Sequence, residues 1–135
     1  MSRGGLIPAV MMANQLNIRH VYSVGISSYN TDENSNIIVT EPNVYQSISV
    51  EHACMTHGER VLIVDDICDS GETFERLSNY IKENINHECD VRFSALWWNN
   101  ECDFEPHYYT QDLAKDTEQV WIYFPHENWW EGSIS

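Results

Sequence analysis

The chain has 135 residues, with 21 acidic against 7 basic side chains and a formal charge of −14. That length fits one domain around one core, and a hydrophobic share of 42% is too high for a disordered chain. So acidic a chain is no binder of nucleic-acid backbones, which needs clustered Lys and Arg, but an anionic small substrate stays open because backbone amides, one Arg and a metal ion bind phosphate inside acidic proteins.

Ser2-Arg3-Gly4-Gly5 opens the chain as a glycine-rich turn. Residues 6–16 follow with Leu6, Val10, Met11 and Ala13 near helical spacing, and Pro8 suits a first turn. Asn17 marks the stop. Residues 21–27 are β-rich and predict a strand, and the Asn-, Asp- and Ser-rich stretch 29–36 predicts a loop or hairpin tip. Residues 37–40 and 45–50 are short β-prone pieces around Pro42, and Gly58 makes a turn. Val61-Leu62-Ile63-Val64 is wholly apolar, the pattern of a central parallel strand buried on both faces. Phe74, Leu77, Ile81 and Ile85 then set a helical period over residues 74–84. Residues 91–97 predict a strand, 99–109 a loop, and 120–124 a last strand before Trp129 and Trp130. The order strand, loop, helix, strand implies an α/β fold with a parallel sheet.

No apolar run reaches the roughly 18–20 residues that span a membrane, and residues 1–8 lack the basic and long apolar regions of a signal peptide. Cys54, Cys68, Cys89 and Cys102 form no CxxC pair and no zinc-ligand spacing. They are read as reduced, partly buried thiols of a cytosolic protein. His52 and His57 share a loop-like stretch and are read, like the other histidines, as surface side chains.

Chemistry concentrates in Val61-Leu62-Ile63-Val64-Asp65-Asp66-Ile67-Cys68-Asp69-Ser70-Gly71-Glu72-Thr73. This is a strand, a carboxylate-bearing turn and a helix start. Ligands of open α/β sheets bind at the carboxyl ends of strands. Amides around Ser70, Gly71, Glu72 and Thr73 suit a phosphate, Gly71 permits close backbone approach, and the hydroxyls of Ser70 and Thr73 add donors. Asp65 and Asp66 suit sugar hydroxyls or a hydrated Mg²⁺, which takes few carboxylates plus substrate oxygens. Helix capping by Asp69 or Ser70 explains one such residue. It does not explain two adjacent aspartates ending an apolar strand with a third shortly after.

The segment resembles the phosphoribosyl pyrophosphate (PRPP) signature of the type I phosphoribosyltransferases: an apolar strand, two acids, two spacers, then Asp-Ser/Thr-Gly-x-Thr. A second match, Ser2-Arg3-Gly4-Gly5-Leu6-Ile7-Pro8 with Ile18-Arg19-His20-Val21 and Ile26-Ser27-Ser28-Tyr29, is similar to the xanthine–guanine and hypoxanthine branch. A third, Phe104-Glu105-Pro106-His107-Tyr108-Tyr109 with Trp121-Ile122-Tyr123-Phe124-Pro125-His126-Glu127, is similar to the purine-binding end of that branch.

The resemblance implies a single phosphoribosyltransferase domain over residues 1–135. Its parallel sheet is flanked by helices, with a flexible hood at about 29–59 and a purine-binding segment at about 97–130. It implies that Ser2, Arg3 and Gly4 hold pyrophosphate, that Asp65 and Asp66 hold ribose and Mg²⁺, and that Ser70, Gly71, Glu72 and Thr73 anchor the 5′-phosphate. Asp69 would be the catalytic base or orienter, and Tyr29 and the hood would exclude water. Trp121 would stack on the base while Ile122 contacts its edge. The implied enzyme joins guanine, xanthine or hypoxanthine to PRPP, is cytoplasmic, and works as a homo-dimer or homo-tetramer with no nucleic-acid or membrane partner. A non-catalytic PRPP or nucleotide sensor of the same fold, or a transferase for another base, are the alternatives.

Two departures stand out. Where the family has a Lys that donates to the exocyclic oxygen of the purine, this sequence has Ala95-Leu96-Trp97-Trp98-Asn99-Asn100, which puts Asn99 at that position. The family also carries a helix and an apolar strand before Ser-Arg-Gly-Gly, whereas only Met1 precedes Ser2 here. That strand lies between those matching residues 21–27 and 61–64, so its loss is expected to bare two ladders of backbone groups. A truncated chain is the expectation. The rival readings are a complete but degenerate chain, weakly stable and weakly active, and another segment filling the gap.

Overall fold

The computed structural model describes residues 4–34, 36–47, 60–85, 88–114 and 122–125. The elements run α1 (Leu6–Leu16), β1 (Gly25–Thr31), β2 (Ile37–Gln46), β3 (Arg60–Cys68), α2 (Glu72–Asn84), β4 (Asp90–Asn99) and β5 (Tyr108–Leu113). β1 and β2 form an antiparallel pair, and β3, β4 and β5 form a sheet in that order with both pairings parallel. The α/β expectation holds. A parallel β3–β4 pair needs a crossover connection, and α2 supplies it.

α1 has the predicted bounds. Asn17 ends it in the left-handed region at φ 55°. The amide of Ile18 donates to the Ala13 carbonyl at 2.9 Å and that of Asn17 to the Asn14 carbonyl at 3.4 Å, the Schellman pattern. Of the four apolar residues that set its period, only Ala13 is buried.

The predicted strand at 21–27 begins later, at Gly25, because residues 21–24 find no ladder partner among the described residues. The first β-prone piece and the start of the second, through Gln46, join into one strand, β2, while residues 48–50 lie outside the described residues. The ladder shifts register between Ser27 and Tyr29 on β1, so Pro42 sits in an irregularity where its missing N–H costs no ladder bond. Asp32 ties the hairpin tip: its carboxylate accepts from the amides of Asn34 at 2.9 Å and Asn36 at 2.8 Å.

Two expectations are corrected at the sheet. β5 begins at Tyr108, inside the 99–109 stretch expected to be loop, and runs on through residues 110–113, for which the sequence predicts no element. The predicted strand at 120–124 is not found in its described part, since residues 122–124 carry none and residues 120–121 lie outside the described residues. β5 is an edge strand with exposed side chains, held by the β4 ladder and by the Thr110 hydroxyl on the Leu96 carbonyl. An exposed edge strand shows no apolar alternation for a sequence reading to find.

β3 was expected to be buried on both faces, yet residues 61–67 are only half-buried. Among the described residues it pairs with β4 alone. Its other side borders a groove of about 420 Å³, walled by α1, by residues 18–24 and by Leu77 and Ile81 of α2. The groove lies between the two segments that the sequence comparison places on either side of the family's opening strand. The core lies on the β4 side, where Cys68, Phe74, Phe93 and Ala95 are buried and Phe104 packs against them. The Phe74 and Phe93 rings sit 5.1 Å apart, and Phe104 meets Phe93 edge-on, also at 5.1 Å.

Candidate functional site

The site is built at the carboxyl end of β3. The apolar run extends as strand through Asp65 and Asp66 to Cys68, and the backbone then bends through residues 69–71 into α2. The two acids are held by their own neighbours. The Asp65 carboxylate accepts from the Asp66 amide at 3.0 Å, and that of Asp66 accepts from the Ile67 amide at 2.8 Å.

Two motifs far apart in the chain meet here. Gly4 lies so close to Asp66 that a Cβ on it would overlap the carboxylate, and a Cβ on Gly5 would overlap the Val64 carbonyl. Only glycine permits that approach. The start of α1 is thereby seated on the end of β3. Ser2 and Arg3 lie outside the described residues.

Gly71 takes φ 83°, the left-handed region that glycine enters without a Cβ penalty, and its missing Cβ leaves room for the Phe104 side chain. The turn delivers the N-terminus of α2 beside the acids. The N-cap of α2 is Gly71, which has no side chain to cap it, and the Glu72 amide donates to the Ser70 hydroxyl at a long 3.4 Å. Thr73 is half-buried in the first turn. Glu72 and Glu75 also lie in that turn, where the helix dipole favours acids.

Asp69 is half-buried at the bend, and Asn99 lies against it: the Asn99 Nδ2 donates to the Asp69 Oδ1 at 3.2 Å. Asn99 is 5% exposed and ends β4. The structure thus brings Gly4, Asp65, Asp66, Asp69, Ser70, Gly71, Glu72, Thr73 and Asn99 to one end of the sheet. Of the pair expected to bind the base, Ile122 is half-buried and Trp121 lies outside the described residues. Of the stretch 29–59 expected to form a hood, the structure describes residues 29–34 and 36–47, in the β1–β2 hairpin, and residues 35 and 48–59 lie outside the described residues. The Tyr29 side chain is likewise undescribed.

Phe104 was not singled out individually as a site residue. It packs under Gly71, and its carbonyl accepts from the Trp98 Nε1 at 2.7 Å and from the Cys102 thiol at 3.1 Å. Its only sequence signal is its place in the Phe-x-Pro-x-Tyr-Tyr match. Cys68 is no nucleophile. Burial, with Cys102 next to it, pushes its thiol up to about 12, so it stays protonated near neutrality.

No group of three or more His, Cys, Asp or Glu side chains among the described residues could hold a metal. Asp65 and Asp66 each offer carboxylate oxygens at this strand end, although successive strand residues face opposite sides of the sheet. Such oxygens fit Mg²⁺, which takes one or two carboxylates and completes its shell with water and substrate oxygens. No helix among the described residues is long and apolar enough to cross a membrane.

The Phosphoribosyl transferase domain family matches residues 1–127. The chain is 34% identical over 135 residues to the xanthine-guanine phosphoribosyltransferase of Vibrio atlanticus, covering 99% of this chain and 71% of that one. It is 30% identical over 124 residues to the enzyme of that name from Cereibacter sphaeroides, covering 92% of this chain and 64% of the relative. Among solved structures, a purine phosphoribosyltransferase from Pyrococcus horikoshii superposes with a TM-score of 0.64 at 24% identity, covering 92% of this chain and 71% of that one. That likeness bears on the fold alone.

Proposed function

The chain belongs to the phosphoribosyl transferase domain family, and from that premise we propose that it is a purine salvage enzyme joining guanine, xanthine or hypoxanthine to PRPP. The products are a nucleoside 5′-monophosphate and pyrophosphate. The observation that carries this reading is the contact of Gly4 with the Asp66 carboxylate. It seats the proposed pyrophosphate loop on the proposed ribose site, with Asp69 and the α2 N-terminus alongside. The names of the relatives, xanthine-guanine phosphoribosyltransferases, support the substrate class.

In this reading Ser70, Gly71, Glu72 and Thr73 bind the 5′-phosphate through backbone amides and hydroxyls. That remote binding holds the anomeric carbon in place. Asp65 and Asp66 hold the ribose hydroxyls. Ser2, Arg3 and Gly4 stabilise the charge that develops on the leaving pyrophosphate. Mg²⁺, held by Asp65 and Asp66, supplies further charge neutralisation when bound. As the bond from the anomeric carbon to the pyrophosphate oxygen loosens, the purine nitrogen bonds to that carbon, and Asp69 takes the proton from the nitrogen. Trp121 stacks on the base, with Ile122 and Asn99 at its edge. The hood keeps water from a carbon that hydrolysis would otherwise claim. The protein is proposed to be cytoplasmic and to act as a dimer or tetramer.

The test is pyrophosphate release from PRPP and Mg²⁺ with a panel of bases. Release with a 6-oxopurine is expected, and release only with adenine or a pyrimidine overturns the base assignment. Asp69→Asn should lower turnover by roughly 100-fold or more, and near-normal turnover removes Asp69 from its role. One observation favours a second reading, a sensor that binds PRPP without turnover: β3, which carries the acids, is open along the groove. Tight PRPP binding without release from any base supports that reading.

A further inference from the structure

We infer that Asn99 is a positioning residue that fixes the carboxylate of Asp69. The inference rests on the proposed role of Asp69 as proton acceptor. Asp69 follows β3 directly and lies in a bend outside the ladder, where the backbone alone does not set a side-chain direction. Asn99 is placed differently. It is the last residue of β4, and the parallel register pairs Ile67 with Trp97 and Cys68 with Trp98. The next step of that register puts residue 99 beside residue 69.

Asn99 is itself held through both its side chain and its backbone. Its Oδ1 accepts from the Glu101 amide at 3.2 Å, its backbone carbonyl accepts from the Cys102 amide at 3.2 Å, and it is 5% exposed. The two side-chain bonds, to the Glu101 amide and to Asp69, also fix which way the amide points. Turned over, it would set Oδ1 against a carboxylate and an NH₂ group against an N–H, two repulsions in place of two bonds. The Nδ2 therefore faces Asp69, and the rigid strand end holds a donor on the carboxylate. A reactive group held by an element end through a hydrogen bond keeps its geometry better than one on a loop alone.

This assigns Asn99 a role that the lysine comparison does not supply, since it acts here through a protein carboxylate. The expected consequence is a split between turnover and binding. Asn99→Leu lowers kcat by about 100-fold, the scale of a small misplacement of a catalytic group, while KM for PRPP stays within about threefold of the unaltered value. In an Asp69→Ala background the same change lowers kcat no further.

The experiment is the cycle of Asn99→Leu, Asp69→Ala and the double variant, read by steady-state kinetics and by urea midpoint without substrate or metal. Asn99→Ser, too short to reach Asp69, replaces Asn99→Leu if that variant does not fold. Non-additive midpoint shifts together with the kcat loss support the inference. Unchanged kcat, an equal loss in the Asp69→Ala background, or a raised KM for the base with unchanged kcat overturns it. If the unaltered protein releases no pyrophosphate with any base, the proposed reaction fails. The midpoint cycle then decides the contact by itself: non-additive shifts uphold it and additive shifts overturn it.

Discussion

β3 has two sides built from one apolar run, and they meet different fates. Toward β4 it joins a ladder of parallel pairs and meets a cluster in which Cys68 and Phe74 are each 2% exposed. Toward residues 18–24 it borders the groove, where Leu62 and its neighbours stay half-buried and α1 leaves Leu6 and Leu16 exposed at 42% and 59%. The strand's own hydrophobicity is the same on both sides. What differs is whether another element supplies a surface to bury it. The acids at the end of β3 depend on both sides, since α1 brings Gly4 and α2 brings Gly71 to the same turn.

The sharpest way to break this contrast is Phe74→Ala. It removes a ring fully buried between two others, and a cost of about 3–5 kcal/mol is expected from urea denaturation. A cost below about 1 kcal/mol would show the β4 side to be no better packed than the groove. Gly71→Ala comes next. It forces a Cβ into the left-handed region and against Phe104, with about 2 kcal/mol lost through the backbone alone, and both stability and turnover should fall together. Leu62→Ala on the groove side should cost about 1 kcal/mol, because much of its surface already meets solvent. A loss as large as that of Phe74→Ala would mean that the groove is filled in solution. The smallest expected effect is on Cys68. With its thiol pushed up to about 12 by burial, Cys68 should resist iodoacetamide at pH 8 in the native protein and react only once unfolded, read at its own peptide because Cys102 is only half-buried. Rapid labelling of Cys68 in the native protein would show that the packed side opens.

Much of the site was legible because its signals are local. A wholly apolar run followed by Asp65, Asp66 and Asp69 reads as strand and turn from the residues themselves. Helical spacing at Phe74, Leu77 and Ile81 locates α2, and all three are buried. Gly71 is a residue that a left-handed turn demands. The missed strand β5 had no such signal. Its Tyr108 and Tyr109 are 53% and 40% exposed, and it is held by the β4 ladder, the Trp98 ring 4.9 Å from Tyr109, and side-chain bonds at Thr110 and Asp112. Asn99 was placed by comparison with a lysine position, which says nothing of the carboxylate it meets.

By itself the sequence determined the strand–turn–helix unit that carries Asp65 to Thr73, because backbone preference, apolar period and turn chemistry act between near neighbours. Tertiary structure alone decided the half-burial of β3, the approach of Gly4 to Asp66 and the hold of Asn99 on Asp69. Each of these needs a partner that only the folded chain brings within contact distance.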